Sequence, residues 1–197
     1  MKFDQKENLD IIFETLFTPY KTRVQDVVKI HKAMIEKNMI SSEKDIINDH
    51  IAFRSLGVPN LGIASLEKIF LHYGYEKKDH YYFEQKKLDA YWYSPPQSKY
   101  PRIFISELRV KDLPEQTQSI IWNYTKDITV DPIDELDLDD AESVGAFFEN
   151  PLWKLPTLAD YESLQQQSEY AAWVIYNSYY LNHYTISIHE LPEPYKK

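Results

Sequence analysis

The chain of 197 residues contains no cysteine. Disulfides, thiolate metal centres and a cysteine nucleophile are therefore excluded together. A chain of this length buries most of its apolar surface on folding and needs no covalent staple. Glycine is scarce, at four residues. Neither GxGxxG nor a P-loop pattern occurs, so the loops that cradle nucleotide phosphates have no sequence basis here. No run approaches the roughly 20 apolar residues that cross a bilayer, and residues 1–8 lack the apolar stretch of a signal peptide. Basic residues are outnumbered, 22 Lys and Arg against 31 Asp and Glu, for a net charge of −9. That balance opposes the basic face of a nucleic-acid binder. The expectation is a cytoplasmic protein with neither nucleic acid nor membrane as partner.

What is present is a mixed pattern of helices and strands. Ile11, Ile12, Leu16 and Phe17 recur at helical spacing, and Pro19 predicts a stop. A second helix is predicted over residues 22–37. Residues 48–56 (NDHIAFRSL) alternate as a strand, with Ile51 and Phe53 on one face and His50, Ala52 and Arg54 on the other. A helix over 63–73, closed near Gly74, follows. Strands are then predicted over 81–84, 88–93 and 102–110. Strand, helix and three strands make a βαβββ module, and two such modules side by side build a curved sheet with a cleft.

Residues 111–127 read as helical, and 131–156 as an acidic, irregular stretch with a short helix near residue 141. One long helix is predicted over 157–180, with Thr157 as its N-cap. Residues 181–191 (LNHYTISIHEL) read as another strand. The expected fold class is α+β, with the chain organised as a single unit. It comprises a helical part (1–45), a first βαβββ module (46–110), a helical insertion (111–180) and the start of an incomplete second module (181–197).

Two strand-borne histidines are the chemically informative residues. On an extended strand, His50 and Arg54 share a face about 13 Å apart at about 3.3 Å per residue. That separation lets a histidine hold a metal while an arginine fork grips a carboxylate reaching away from it. A hydrogen-bonded structural histidine near an exposed arginine is the plainer alternative. His183 shares its face with Thr185, Ser187 and His189, a polarity that suits a wet cleft or the solvent side of an edge strand. Non-haem iron(II) oxygenases bind metal through two histidines and one carboxylate. Glu107 is the internal carboxylate candidate, with a solvated role as its alternative. His31, His72 and His80 read as surface residues, and the acidic run 134–140 lacks the glycine and terminal glutamate of an EF-hand.

NDHIAFRSL, the segment YYFEQKKLDAYWYSPP with PRIFISEL, and LNHYTISIHEL together resemble the DUF1338 family. Its characterised members are 2-oxoadipate dioxygenase/decarboxylases, also called D-2-hydroxyglutarate synthases. The resemblance runs from about residue 12 to the end of the chain. It implies a vicinal-oxygen-chelate-like fold elaborated with helices. By this resemblance His50 and His183 correspond to the two iron-binding histidines, and Arg54 to the arginine that holds the substrate carboxylate. The implied cofactor is Fe(II), and the implied partners are a small 2-oxo dicarboxylic acid and dioxygen. The implied reaction, in lysine catabolism, converts 2-oxoadipate to D-2-hydroxyglutarate and carbon dioxide. The family's third ligand is a glutamate well downstream of the second histidine, for which this chain offers no counterpart. Either the chain is a fragment of a longer protein that carries this glutamate, or another carboxylate such as Glu107 or Glu190 takes its place. An open sheet edge beside an incomplete module would favour a homodimer. Two other functions fit the same residues: a chelate-fold isomerase, lyase or hydrolase using another divalent metal, and an inactive, truncated or degenerate binding domain.

Overall fold

Buried Leu9, Ile12, Phe13, Leu16, Phe17 and Tyr20 lie along one stripe of the first helix, α1 (Asn8–Arg23), and fasten it to the core. The computed structural model describes residues 7–191. Helix α1 runs through Pro19 instead of stopping there. The proline gives up one intrahelical bond, but buried Leu16, Phe17 and Tyr20 hold the turns on either side of it. Helix α2 (Gln25–Glu36) follows, and its His31 is buried rather than on the surface as expected. His31 sits there because Nε2 meets the hydroxyl of Tyr184 at 2.8 Å, and Nδ1 lies 3.5 Å from Glu43 Oε1.

The module comprises β1 (Asn48–Leu56), α3 (Ile63–His72), β2 (Glu76–Phe83), β3 (Leu88–Ser94) and β4 (Arg102–Leu108). With β5 (His183–Ile186) these strands form one sheet in the order β2-β3-β4-β1-β5. Strands β2, β3 and β4 pair antiparallel, β4 pairs parallel with β1, and β5 closes the far edge antiparallel to β1. Only a crossover connection can make β1 and β4 parallel. The βαβββ expectation thus agrees with the observed order. Strand β2 begins five residues before its expected start at residue 81. All of its residues are exposed, and its first four (EKKD) are charged, as suits a protected edge. Such a strand carries no apolar alternation to read.

Register fixes which side chains share a face. Ile51 opposes Ile103 and Phe53 opposes Ile105, and all four are fully buried. Phe53 meets Phe70 of α3 and Phe148, just past helix α5 (Ala141–Phe147), at ring separations of 5.4 and 5.0 Å. Burying a side chain of this size contributes about 1.5–3 kcal/mol. On the other face the same registers align His50 with Arg102, Ala52 with Phe104 and Arg54 with Ser106. This face is only partly covered.

Helix α4 (Glu115–Thr125) occupies part of the expected 111–127 helix. The long helix expected over 157–180 is two helices, α6 (Leu158–Gln167) and α7 (Glu169–Asn177). Ser168 is extended between them (φ −158°, ψ 105°), and its side chain accepts the N–H of Ala171 to cap α7. The terminal strand is also shorter than expected. After Ile186 the chain turns into a 3-10 helix, Ile188–Glu190, and residues 192–197 of the expected second module lie outside the described residues. Residues 1–6 of the expected helical part lie outside them too. Among the described residues no helix is long and apolar enough to cross a membrane.

Candidate metal centre

Ala52 of β1 and His183 of β5 are register partners, as are His50 and Thr185, so both histidines project from the open face of the sheet. Their rings meet edge to face, with centroids 5.7 Å apart and planes at 80°. The chain is pinned as it enters β5, where the Asn182 N–H donates to Ala52 O at 3.1 Å. Tyr184 points the other way and packs edge-on against Phe17 at 5.2 Å. Alternation along β5 therefore packs half-buried Tyr184 against the core and presents His183.

Each histidine has its Nδ1 engaged. His50 Nδ1 lies 2.9 Å from Asp49 Oδ2 and 2.9 Å from Thr185 Oγ1. His183 Nδ1 lies 2.8 Å from Asn182 Oδ1. A carboxylate and an amide oxygen can only accept, so Nδ1 carries the proton in both rings. That leaves each Nε2 with its lone pair free, the form in which imidazole binds a metal. Surrounding protein desolvates His183 even though its ring lies on the open face. That desolvation, with His50 and Arg54 nearby, holds its pKa below the usual histidine value.

Arg54, two pleats beyond His50 on β1, lies against helix α7. Its guanidinium sits 4.9 Å from the Tyr170 ring centre and 5.2 Å from that of Trp173. Nη1 makes a 3.3 Å ion pair with Glu169. Tyr170 is itself anchored: its hydroxyl accepts from Ser55 N at 3.1 Å and donates to Ser106 O at 2.9 Å. Burial holds that hydroxyl well above its ordinary pKa, so it stays protonated. A cleft of about 490 Å³ runs past Arg54, Phe83, Phe104, Glu169 and His183. A second, of about 540 Å³, includes His50, Tyr81, Trp92 and Arg102 and shares Phe104 and His183 with the first. The histidine pair and the arginine thus belong to one continuous surface that meets at His183.

Glu107 is not part of it. It opposes Ser55, on the far face of the sheet, and its carboxylate accepts the Ile63 N–H at 2.8 Å at the start of α3. Glu190 lies in the 3-10 helix after β5 and lines a separate pocket with Met34 and Ile46. Among the described residues no group of three or more histidine or carboxylate side chains is arranged to hold a metal ion. His72 and His80 pair with Asp139 and Asp89, away from the cleft.

Sequence reasoning missed Asp49, Asn182 and Glu169, the partners of His50, His183 and Arg54. The only signal for the first two is that each directly precedes its histidine. Nothing local marks Glu169, which lies 115 residues from Arg54.

A family model described as 2-oxoadipate dioxygenase/decarboxylase matches residues 12–197. The chloroplastic 2-oxoadipate dioxygenase/decarboxylase of Arabidopsis thaliana is 36% identical over 171 residues, covering 81% of this chain and 44% of that protein. The crystal structure of the hydroxyglutarate synthase from Oryza sativa in complex with 2-oxoadipate superposes with a TM-score of 0.79 at 32% identity. It covers 92% of this chain and 58% of that one. A protein from Ralstonia eutropha described as belonging to the glyoxalase superfamily superposes with a TM-score of 0.71 at 20% identity, over 91% of this chain and 62% of that one, a likeness of fold. The chain spans less than half the length of its Arabidopsis relative.

Proposed function

Because the chain belongs to the 2-oxoadipate dioxygenase/decarboxylase family, we propose that it serves the iron(II)-dependent oxidative decarboxylation of a 2-oxo acid. The proposed substrate is 2-oxoadipate, which with dioxygen gives D-2-hydroxyglutarate and carbon dioxide. The observation that carries this reading is the meeting of two histidines, each with Nδ1 tied down, on the same face as Arg54. His50 and His183 fit two of the three protein ligands of a two-histidine, one-carboxylate centre. Bound iron would supply the site that activates dioxygen and chelates the 2-oxo acid.

The remaining work belongs to the chain's own side chains. Arg54 holds the substrate's distal carboxylate through its planar fork, and the faces of Tyr170 and Trp173 hold that fork in place. Phe83 and Phe104 line the cleft between the two ends and exclude water from the carbon chain. The strand spacing of His50 and Arg54, about 13 Å, sets the length of acid that reaches both.

The test is anaerobic loading with iron(II), followed by 2-oxoadipate and air. Bound iron, with oxygen consumed one-for-one with carbon dioxide released, and loss of both in His183→Ala, is the expected result. Turnover under argon with another divalent metal would instead identify a chelate-fold enzyme of a different reaction. Failure of the wild-type chain to bind iron would overturn the reading for this polypeptide.

A further inference from the structure

Strand β1 carries an irregularity at the metal centre. Asn48 opposes Ile186 and His50 opposes Thr185, so Asp49 has no partner on β5. Such a bulge places an extra residue in one strand and re-aims its side chain. Without it, alternation would turn Asp49 away from His50, toward the face that buries Ile51 and Phe53. Instead the Asp49 side chain is 38% exposed and borders the same cavity as His50 and His183.

Both carboxylate oxygens are occupied. Oδ2 lies 2.9 Å from His50 Nδ1, and Oδ1 accepts from Arg102 Nη1 at 3.0 Å. Arg102 is the register partner of His50 on β4, so the clamp spans two adjacent strands. Thr185 Oγ1 also lies 2.9 Å from Nδ1, but a charged acceptor holds a proton more strongly than a hydroxyl does. A carboxylate behind a ligating histidine fixes its tautomer and raises its basicity.

We propose that Asp49 is a positioning residue. Turned to the open face by the bulge and fastened by Arg102, it holds His50 in the Nδ1–H form and aims Nε2 at the space shared with His183. The proposal rests on the reading of His50 as a metal ligand, and it assigns Asp49 no place among the ligands.

The test uses the full chain with 15N-labelled histidine and two variants, Asp49→Ala and Asp49→Asn. In the metal-free wild type at pH 8, long-range 1H–15N spectra should show His50 in the Nδ1–H form. Asp49→Ala should move it toward a mixture. Asp49→Asn should move it further. Arg102 will claim the amide oxygen, which leaves the NH2 group facing Nδ1 and forces the proton to Nε2. Cobalt(II) titration, followed by its visible absorption, should show affinity reduced about 10–100-fold in both variants. An unchanged tautomer in Asp49→Asn, which is isosteric and folds if any variant does, overturns the proposal. If the wild type binds no cobalt(II), the metal-ligand reading fails by itself, and the tautomer shift still decides whether Asp49 sets His50.

Discussion

Thr185 stands opposite His50 across β1 and β5, and its hydroxyl oxygen lies 2.9 Å from His50 Nδ1 and 3.3 Å from the His50 N–H. One side chain thus ties the backbone and ring of one histidine to the strand that carries the other. Replacing it by valine keeps the branched shape and removes the oxygen. A lost hydrogen bond of this kind is worth about 0.5–1.5 kcal/mol. Thr185→Val should therefore weaken metal binding up to about 10-fold while leaving the circular dichroism spectrum unchanged. Undiminished affinity would show that the hydroxyl does not help to place the ring.

The histidine pair should act as a unit. His50→Ala and His183→Ala should each retain little or no iron(II) after desalting. His72→Ala should bind as the wild type does, because His72, the last residue of helix α3, pairs with exposed Asp139 away from the cleft. Elemental analysis of the three variants checks this, and iron retained by both site variants would remove the pair from the metal's coordination.

Arg54 and Glu169 make opposite predictions for a dicarboxylic acid. Charged hydrogen bonds contribute about 1.5–3 kcal/mol, so Arg54→Ala should weaken 2-oxoadipate binding at least about 10-fold. Lysine should restore only part of it, because a point charge cannot form the two parallel bonds of the fork. The Glu169 side chain is 68% exposed, and its carboxylate already occupies Arg54 Nη1. An exposed ion pair is worth about 0.2–1 kcal/mol. Glu169→Gln should therefore tighten binding by about 1.5–5-fold. Calorimetric titration measures all three, and weaker binding in Glu169→Gln would show that the pair positions the arginine instead of competing for it.

Glu107 should matter for folding and not for metal. It accepts the Ile63 N–H, and one of its oxygens lies 2.6 Å from where a Cβ on Gly62 would sit, at a φ of +90°. Glu107→Ala leaves a buried donor without its acceptor, a loss of about 1–3 kcal/mol, or roughly 2–12 °C in melting temperature for a chain of this size. Thermal melts with and without iron(II) separate the two roles. Loss of iron binding with an unchanged melting temperature would restore Glu107 as a ligand.

Acid should expose the Lys21–Glu43 pair behind His31. The 2.6 Å hydrogen bond from Lys21, opposed in part by burial, lowers the Glu43 carboxyl to about 2, below its ordinary value of 4.5. A carboxylate whose folded pKa is depressed stabilises above the unfolded pKa and loses that contribution as pH falls through the folded one. The stability difference between wild type and Lys21→Met should thus be full at pH 6 and above, then close between about 4.5 and 2. Melting temperatures across that range test it. A gap independent of pH would mean that Lys21 acts through packing alone.

How much of this was legible follows the physics of each signal. The strand Asn48–Leu56 was readable because Ile51 and Phe53 are fully buried on one face while His50 and Arg54 on the other are only partly covered. The edge strand β2 was cut short because no face of it is buried. The division at Ser168 stayed hidden, since serine is tolerated inside helices and becomes a cap only when its backbone extends. His50, Arg54 and His183 could be named from one strand pattern each and from the family resemblance. Their partners could not, because Asp49 depends on a bulge and Glu169 on tertiary packing. The two readings of Glu107, ligand or not, stayed open for a simpler reason. Odd and even positions of β4 face opposite sides of the sheet, and the sequence alone does not say which side carries the histidines.

The break at Ser168 separates two kinds of inheritance. The residues proposed to hold metal sit on β1 and β5, whereas the partners of Arg54 sit on α7, a helix that begins afresh after an extended residue. Mutation or insertion on the α6–α7 side can therefore reshape the surroundings of Arg54, the proposed carboxylate site, without disturbing the strand register that aligns the histidines. A scaffold divided in this way would let selection vary the proposed carboxylate site while the strand register beneath the proposed metal site stays the same.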